Sequence, residues 1–298
     1  MRATTVSRFG GPEEVEITEV PLPVPGPGQV RIKVGAAALN PVDAAIRSGV
    51  FGGEGERIGL GWDVAGTIDA VGFQGSWPVG VRVIGLATGH TEPLGTHADY
   101  VVLDGEAIAP APASLDDVHA AALPLNALSA AQSLGLLAMR PGQHLLVTGA
   151  AGGVGGHVVE LAHRQGLEVT ALASVDDMPF LISRGANQFL PRGANLAPAA
   201  FDGVLDAAGL GHEAIAAVRD GGSYVGLWPG QEPVPERGVR VDALDVRADG
   251  AQLAVLSRLA DTGEIRARIA RTYPLEEAVA AHARLAEGNL RGRLVLIP

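Results

Sequence analysis

The chain has no cysteine and a single lysine, Lys33, and only 4% of its residues are aromatic. Without thiols it can form no disulfide and can offer no thiolate to a metal. Basic residues are scarce relative to acidic ones, 22 against 33, which leaves a net charge of −11. Such a chain repels phosphate backbones and anionic membrane surfaces, which argues against nucleic-acid binding as its main role. Runs of apolar sequence long enough to span a membrane are missing, and Met1 to Val6 lead directly into strand-like sequence without an apolar signal core. A cytoplasmic protein without membrane contact is therefore expected. Internal repeats and low-complexity linkers are missing too.

What is present is apolar bulk: 47% hydrophobic residues over 298 positions, more than one core usually takes up, so two domains are expected. From Met1 to about Ala113 the texture is short β-type runs broken by Pro and Gly: Glu14 to Val20, Gln29 to Ala38, Val64 to Val71, Val81 to Leu86 and Ala98 to Val102. That pattern predicts an antiparallel, barrel-like domain with few helices. Near Ser114, a candidate helix cap, the sequence turns alanine-rich, and a second helix is expected from Ala127 to Leu137. Strand and helix then alternate: His144 to Thr148, Val154 to Gln165, Glu168 to Ser174, Pro179 to Arg184, Gly203 to Ala207, Gly211 to Arg219 and Ser223 to Leu227. Alternation of this kind predicts a parallel sheet with helices on both faces, an α/β fold. Ala251 to Thr262 reads as one more helix of that domain, and Gly292 to Ile297 as a strand returning to the first. The expected domains are 1–120 with 265–298, and 121–264.

The most informative stretch runs from Leu145 to Gly156, where an apolar strand, a turn poor in side chains and a helix start follow one another. Glycines at 152 and 155 remove Cβ atoms that would hold a diphosphate off the backbone, and the N–H groups and dipole of the helix start favour the anion. Glycine runs alone are weak signals. Here the helix that follows puts Val154, Val158 and Leu161 on one face, and a second strand lies at βαβ distance, so the stretch reads as a dinucleotide site.

Six collinear blocks resemble the zinc-free quinone oxidoreductase branch of the medium-chain dehydrogenase/reductase superfamily. They are Asn40-Pro41-Val42-Asp43 with Arg47-Ser48-Gly49; Gly61-Trp62-Asp63-Val64-Ala65-Gly66; Gly95 to Val101; Leu123-Pro124-Leu125 with Leu128-Ser129-Ala130; Gly149 to Gly155; and Tyr273 to Ala278 with Gly292 to Leu296. The resemblance implies a GroES-like β-rich catalytic domain, split in sequence, beside a Rossmann domain, with the active site in the cleft between them. It also implies hydride transfer from NADPH to quinones, enones or other activated double bonds, and a homodimer acting on a small molecule. Gly61-Trp62-Asp63 stands where zinc-dependent relatives carry a histidine-glutamate pair, so a zinc alcohol dehydrogenase cannot be built from this chain. An enoyl-thioester reductase of the same fold and a non-catalytic NADPH sensor are the rival readings.

By the same resemblance Asn40 and Asp43 face the nicotinamide. There Asn40 either donates a hydrogen bond to a substrate carbonyl as charge develops on it, or, like Asp43, simply builds the turn. Ser129 replaces a threonine that relatives place at the nicotinamide carboxamide; its alternative is a helix serine bonded to its own turn. Trp62 and Phe51 either wall a planar ring or belong to the core. His97 and Tyr100 are thin candidates for an acid, so protonation from water is expected, which a quinone tolerates. For the cofactor, the expected contacts are Ala151, Gly152, Gly153 and Val154 at the diphosphate. Ala208, Gly209 and Leu227 lie at strand ends, and Arg293 matches a family lysine that approaches the cofactor. Ser174 occupies the end of the second strand where NAD-preferring domains carry an acid, which admits a 2′-phosphate. Asp176 and Asp177 oppose that phosphate, and Arg192 is the compensating charge.

Overall fold

A computed structural model describes residues 1–53 and 55–298. The chain divides into two compact units, Met1–Leu128 with Arg247–Pro298, and Ser129–Val246. Among the described residues no helix is long and apolar enough to cross a membrane.

In the first unit the organising element is the strand Gln29–Leu39. Val30, Ile32 and Val34 are buried while Lys33 is exposed, the period-two pattern of a half-buried strand. From Ala36 onward every residue is buried, as small alanines let neighbours close on both faces. This strand pairs antiparallel with Asp63–Val71, with Tyr100–Asp104 and with Arg293–Ile297. The C-terminal strand thus returns to the first unit, as its sequence suggests. A separate sheet joins Glu16–Glu19, Arg2–Val6 and Ile58–Gly59. The core gathers Val30, Ile32, Val64, Ile68, Val83, Val101 and Ile108.

The second unit is a six-stranded sheet: β1 His144–Thr148, β2 Glu168–Ala173, β3 Gln188–Pro191, β4 Phe201–Asp206, β5 Val218–Gly226 and β6 Arg240–Ala243. Their order in space is β3-β2-β1-β4-β5-β6 and every pairing is parallel. This is the doubly wound Rossmann order, whose direction reverses between β1 and β4; ligands in such sheets lie beyond the carboxyl ends of the strands at that point.

Several expectations need revision. Ser223 to Leu227 falls on β5, an interior strand between β4 and β6, so it offers no edge for pairing with a second copy. The helix Gly250–Asp261 belongs to the first unit: the Gly250 N–H donates to the Glu106 carbonyl at 2.7 Å and Ser257 Oγ to the Pro110 carbonyl at 2.7 Å. The helix near Ser114 is capped by Asp116, which accepts the His119 N–H; Ser114 instead bonds Asp261. Asn40 to Asp43 form more than a turn, since Pro41–Arg47 is a short helix.

Candidate active site

Pro41 opens its helix well because its fixed φ suits the first turn and its missing N–H would have no partner there. Asn40 precedes it as the cap residue, and Asp43, three residues on, reaches back to accept the Asn40 backbone N–H on Oδ2 at 2.7 Å. The other Asp43 oxygen accepts the Gly61 N–H at 3.0 Å. That contact needs glycine: φ at Gly61 is +103°, and a Cβ there would lie 2.5 Å from Thr96 Oγ1 and from the His97 backbone nitrogen. Two residues later Asp63 accepts the Leu125 N–H at 2.6 Å and Asn40 Nδ2–H at 2.7 Å. Asn126 Nδ2 donates to Asn40 Oδ1 at 3.4 Å, and its Oδ1 accepts the Arg293 guanidinium.

Four segments of the first unit therefore meet in one buried polar network around two carboxyl groups and one guanidinium. Burial pushes the Asp43 and Asp63 carboxyls up to about 7, against the pull of their N–H donors and of Arg293. Arg293 itself is lowered by burial, with Asp63 and Asp43 holding it up. Both Asn40 amide hydrogens are directed internally, to Asp63 and to the Ala38 carbonyl, and Asn40 is 0% exposed. Arg293 is held by Asn126 within the first unit. Sequence reading missed Asn126 altogether; its place directly after Leu123-Pro124-Leu125 was the available signal.

His97 is fully buried, with Nε2 3.0 Å from the Ala38 carbonyl, which fixes Nε2 as the protonated nitrogen. Burial lowers it to about 4, so it is neutral at physiological pH and cannot act as an imidazolium donor. Tyr100 lies under the Arg31 guanidinium. Trp62 is buried and donates Nε1–H to the Gly89 carbonyl, while its ring and that of Phe51 both meet His90, at 5.0 and 4.1 Å between centroids. The loop from Gly49 to Arg57 includes Glu54, which lies outside the described residues.

In the second unit the strand-to-helix turn after β1 has the geometry its sequence suggests. Gly152 caps the helix Gly153–Arg164, and among the described residues no acceptor meets the N–H groups of Gly153, Val154 or Gly155. A Cβ on Gly155 would strike the Gly149 carbonyl oxygen and come within 2.8 Å of Ala150 Cα, so only glycine lets the helix start this close to β1. The turn thus presents free donors and a positive dipole end with no side chain over them, which fits the diphosphate of a dinucleotide. Ala151 and Gly152 lie at its surface. Ser174 is half-buried at the end of β2, and exposed Arg192, just past β3, donates its N–H to the Ala173 carbonyl at 2.7 Å. The two expected 2′-phosphate contacts are hence neighbours. Of the opposing acids, Asp177 is buried and Asp176 exposed. Ala208 and Gly209 are exposed after β4, Leu227 is half-buried after β5, and Ser129 is buried in the helix Pro124–Leu137.

Residues 26–113 match the alcohol dehydrogenase GroES-like domain, and residues 180–296 match the family described as zinc-binding dehydrogenase. Over its whole length the chain is 31% identical to the 2-methylene-furan-3-one reductase of Solanum lycopersicum, covering 79% of that protein. The chain belongs to the medium-chain dehydrogenase/reductase superfamily. It is also 29% identical, over all of this chain and 80% of the other, to an NADPH-dependent alkenal/one oxidoreductase of Arabidopsis thaliana, described as chloroplastic. The quinone oxidoreductase of Coxiella burnetii superposes with a TM-score of 0.91 at 28% identity, covering 100% of this chain and 99% of that one. Superfamily membership makes the chain an NAD(P)-dependent oxidoreductase, with a GroES-like unit and a Rossmann unit, in the branch that holds quinone oxidoreductases.

Proposed function

We propose that this oxidoreductase is zinc-independent and reduces quinones or α,β-unsaturated carbonyl compounds with NADPH. The observation that carries the reading is the open row of N–H donors at Gly153 to Gly155, beside a strand end that offers Ser174 and Arg192 where a dinucleotide of the NAD type would meet an acid. When bound, NADPH supplies a hydride from its nicotinamide ring. The chain's part is to seat the diphosphate on the turn after β1, to receive the 2′-phosphate at Ser174 and Arg192, and to hold the first-unit network rigid through Asn40, Asp43, Asp63, Asn126 and Arg293.

The zinc-free reading is supported by the donor set. The chain has no cysteine, and Trp62 donates its ring N–H to Gly89. Asp43 and Asp63 each take backbone N–H bonds, and the described residues hold no cluster of three His, Asp or Glu that suits a metal. With His97 neutral and buried, the proton that completes reduction comes from water, which suits acceptors whose reduced form is aromatic. The names of the relatives support the substrate class: furanone, alkenal and quinone reductases. A homodimer is supported by the open edge of β6. Steady-state oxidation of NADPH against a panel of quinones, enones and enoyl thioesters tests the proposal. Turnover with the first two classes is expected; binding without turnover on any of them would replace it with a sensor role.

A further inference from the structure

Beyond the diphosphate turn, the second unit holds a buried carboxylate that no ligand contact explains. Asp206, at the end of β4, is 2% exposed, and among the described residues no basic side chain pairs with it. It is satisfied by three dipoles instead: Thr148 Oγ1–H at 2.5 Å on Oδ1, and the Gly211 N–H and the Tyr224 O–H, each at 2.8 Å, on Oδ2. Burial and the neighbouring Asp206 charge hold the Tyr224 phenol well above its ordinary pKa, so it stays a donor. Because Thr148 gives its hydrogen to Asp206, its oxygen is left to accept, and it takes the Ala208 N–H at 3.0 Å. The direction of this chain is fixed: Ala208 N–H to Thr148, Thr148 O–H to Asp206.

Its ends matter. Thr148 immediately precedes Gly149 and the diphosphate turn, while Ala208 and Gly209 form the loop after β4, on the other side of the point where the sheet reverses. Gly149 adopts φ +58°, and a Cβ there would stand 3.1 Å from the Ala207 carbonyl, so the two loops already approach as closely as backbone allows. A buried charge held only by oriented dipoles tolerates little displacement, since each lost donor exposes the anion to the full cost of desolvation.

We propose that Asp206, acting through Thr148 and Tyr224, is a positioning residue that locks the loop Ala207–Gly209 to the diphosphate turn and so sets where the nicotinamide ring stops relative to its own phosphates. The inference rests on the dinucleotide reading given above. It separates two tasks: the turn at 149–156 holds the cofactor, and the Asp206 hub aims it.

The test compares Thr148→Val, which keeps the shape and deletes both hydrogen bonds, with Thr148→Ser, which keeps them. NADPH affinity is measured by fluorescence titration. Turnover is measured with a naphthoquinone acceptor, using NADPH and NADPH deuterated at the nicotinamide C4. Thr148→Val is expected to lower kcat about tenfold or more and to raise the isotope effect on kcat, because misaimed hydride transfer becomes rate-limiting, while the NADPH Kd changes by less than about threefold. Thr148→Ser should stay within about twofold of the wild type. A merely structural role would lower Tm and leave the isotope effect and the kcat per folded molecule unchanged. If Thr148→Val does not fold, Tyr224→Phe removes one donor while keeping the ring, and the same rise in isotope effect is expected. Wild-type kcat and isotope effect in the variant that folds would overturn the proposal. Failure of the wild type to take up either reduced nicotinamide cofactor would overturn the dinucleotide reading itself, and the inference with it.

Discussion

Asn40 Nδ2 donates to Asp63 Oδ2 at 2.7 Å across two segments that lie 23 residues apart, and both groups are 0% exposed. The residue that precedes and caps the helix Pro41–Arg47 is thereby also the donor that steadies a buried carboxyl. Replacing Asn40 by Ala would leave Asp63 Oδ2 and Asn126 Nδ2 short of a partner, at a cost of about 1–3 kcal/mol. Asn40→Asp would set a third carboxyl against Asp63 and should cost more at pH 8 than at pH 5. Urea unfolding at the two pH values checks the order; equal stabilities for Asn40→Asp at both would contradict it.

The raised carboxyls fix a sign for the pH dependence. Asp43 and Asp63 titrate near 7 in the folded chain and near 3.8 when unfolded, so the native state binds the extra protons and their contribution to stability falls as pH rises from about 4 to about 7. For one such carboxyl the full span is about 4 kcal/mol. His97 works oppositely: its folded value is about 4 against 6.5, so its contribution is complete above 6.5 and is lost as pH falls toward 4. Subtracting a variant from the wild type isolates one group. Asp63→Asn should therefore be most costly at about pH 4, with the deficit shrinking toward pH 8; a deficit independent of pH would contradict the assignment.

Much of this architecture is legible in the residues. The Rossmann unit shows because β1, β2, β4 and β5 are apolar runs punctuated by glycine, and because the turn at 149–156 carries its own chemistry. The edge strands β3 and β6 are not legible: Gln188–Pro191 and Arg240–Ala243 are short and partly exposed, so neither alternation nor apolar bulk marks them. Periodicity makes Gly250–Asp261 a helix but does not say which unit it covers; that is decided by hydrogen bonds to Glu106 and Pro110, which are remote in sequence. The same holds at the site. Asn40 and Asp43 are legible as a turn but not as the cap of the helix Pro41–Arg47, and the link from Asn126 to Arg293 spans 167 residues and leaves no local trace.

Gly155→Ala tests the diphosphate turn from the steric side. Its Cβ would meet the Gly149 carbonyl oxygen and stand 2.8 Å from Ala150 Cα, both backbone atoms that cannot swing aside. The helix Gly153–Arg164 would have to lift from β1. A loss of about 2 kcal/mol or more in stability is expected, with NADPH binding weakened more than tenfold in whatever folds. Near wild-type NADPH affinity by fluorescence titration would show that the close approach is not required.

Arg192 and Ser174 test the choice of cofactor. Arg192→Ala removes the exposed cation beside the end of β2 and should raise the KM for NADPH at least about tenfold while moving that for NADH less than about twofold. Adding salt should weaken NADPH binding in the wild type more than in the variant, because an exposed charge is screened. Equal effects on the two cofactors would remove Arg192 from the site.

The most direct measurement is calorimetric titration of the folded chain with NADPH and, separately, with NADH. Saturable uptake of one NADPH per chain is expected, tighter than NADH and lost in Gly155→Ala. Protein that is folded by circular dichroism yet binds neither reduced cofactor would contradict the account.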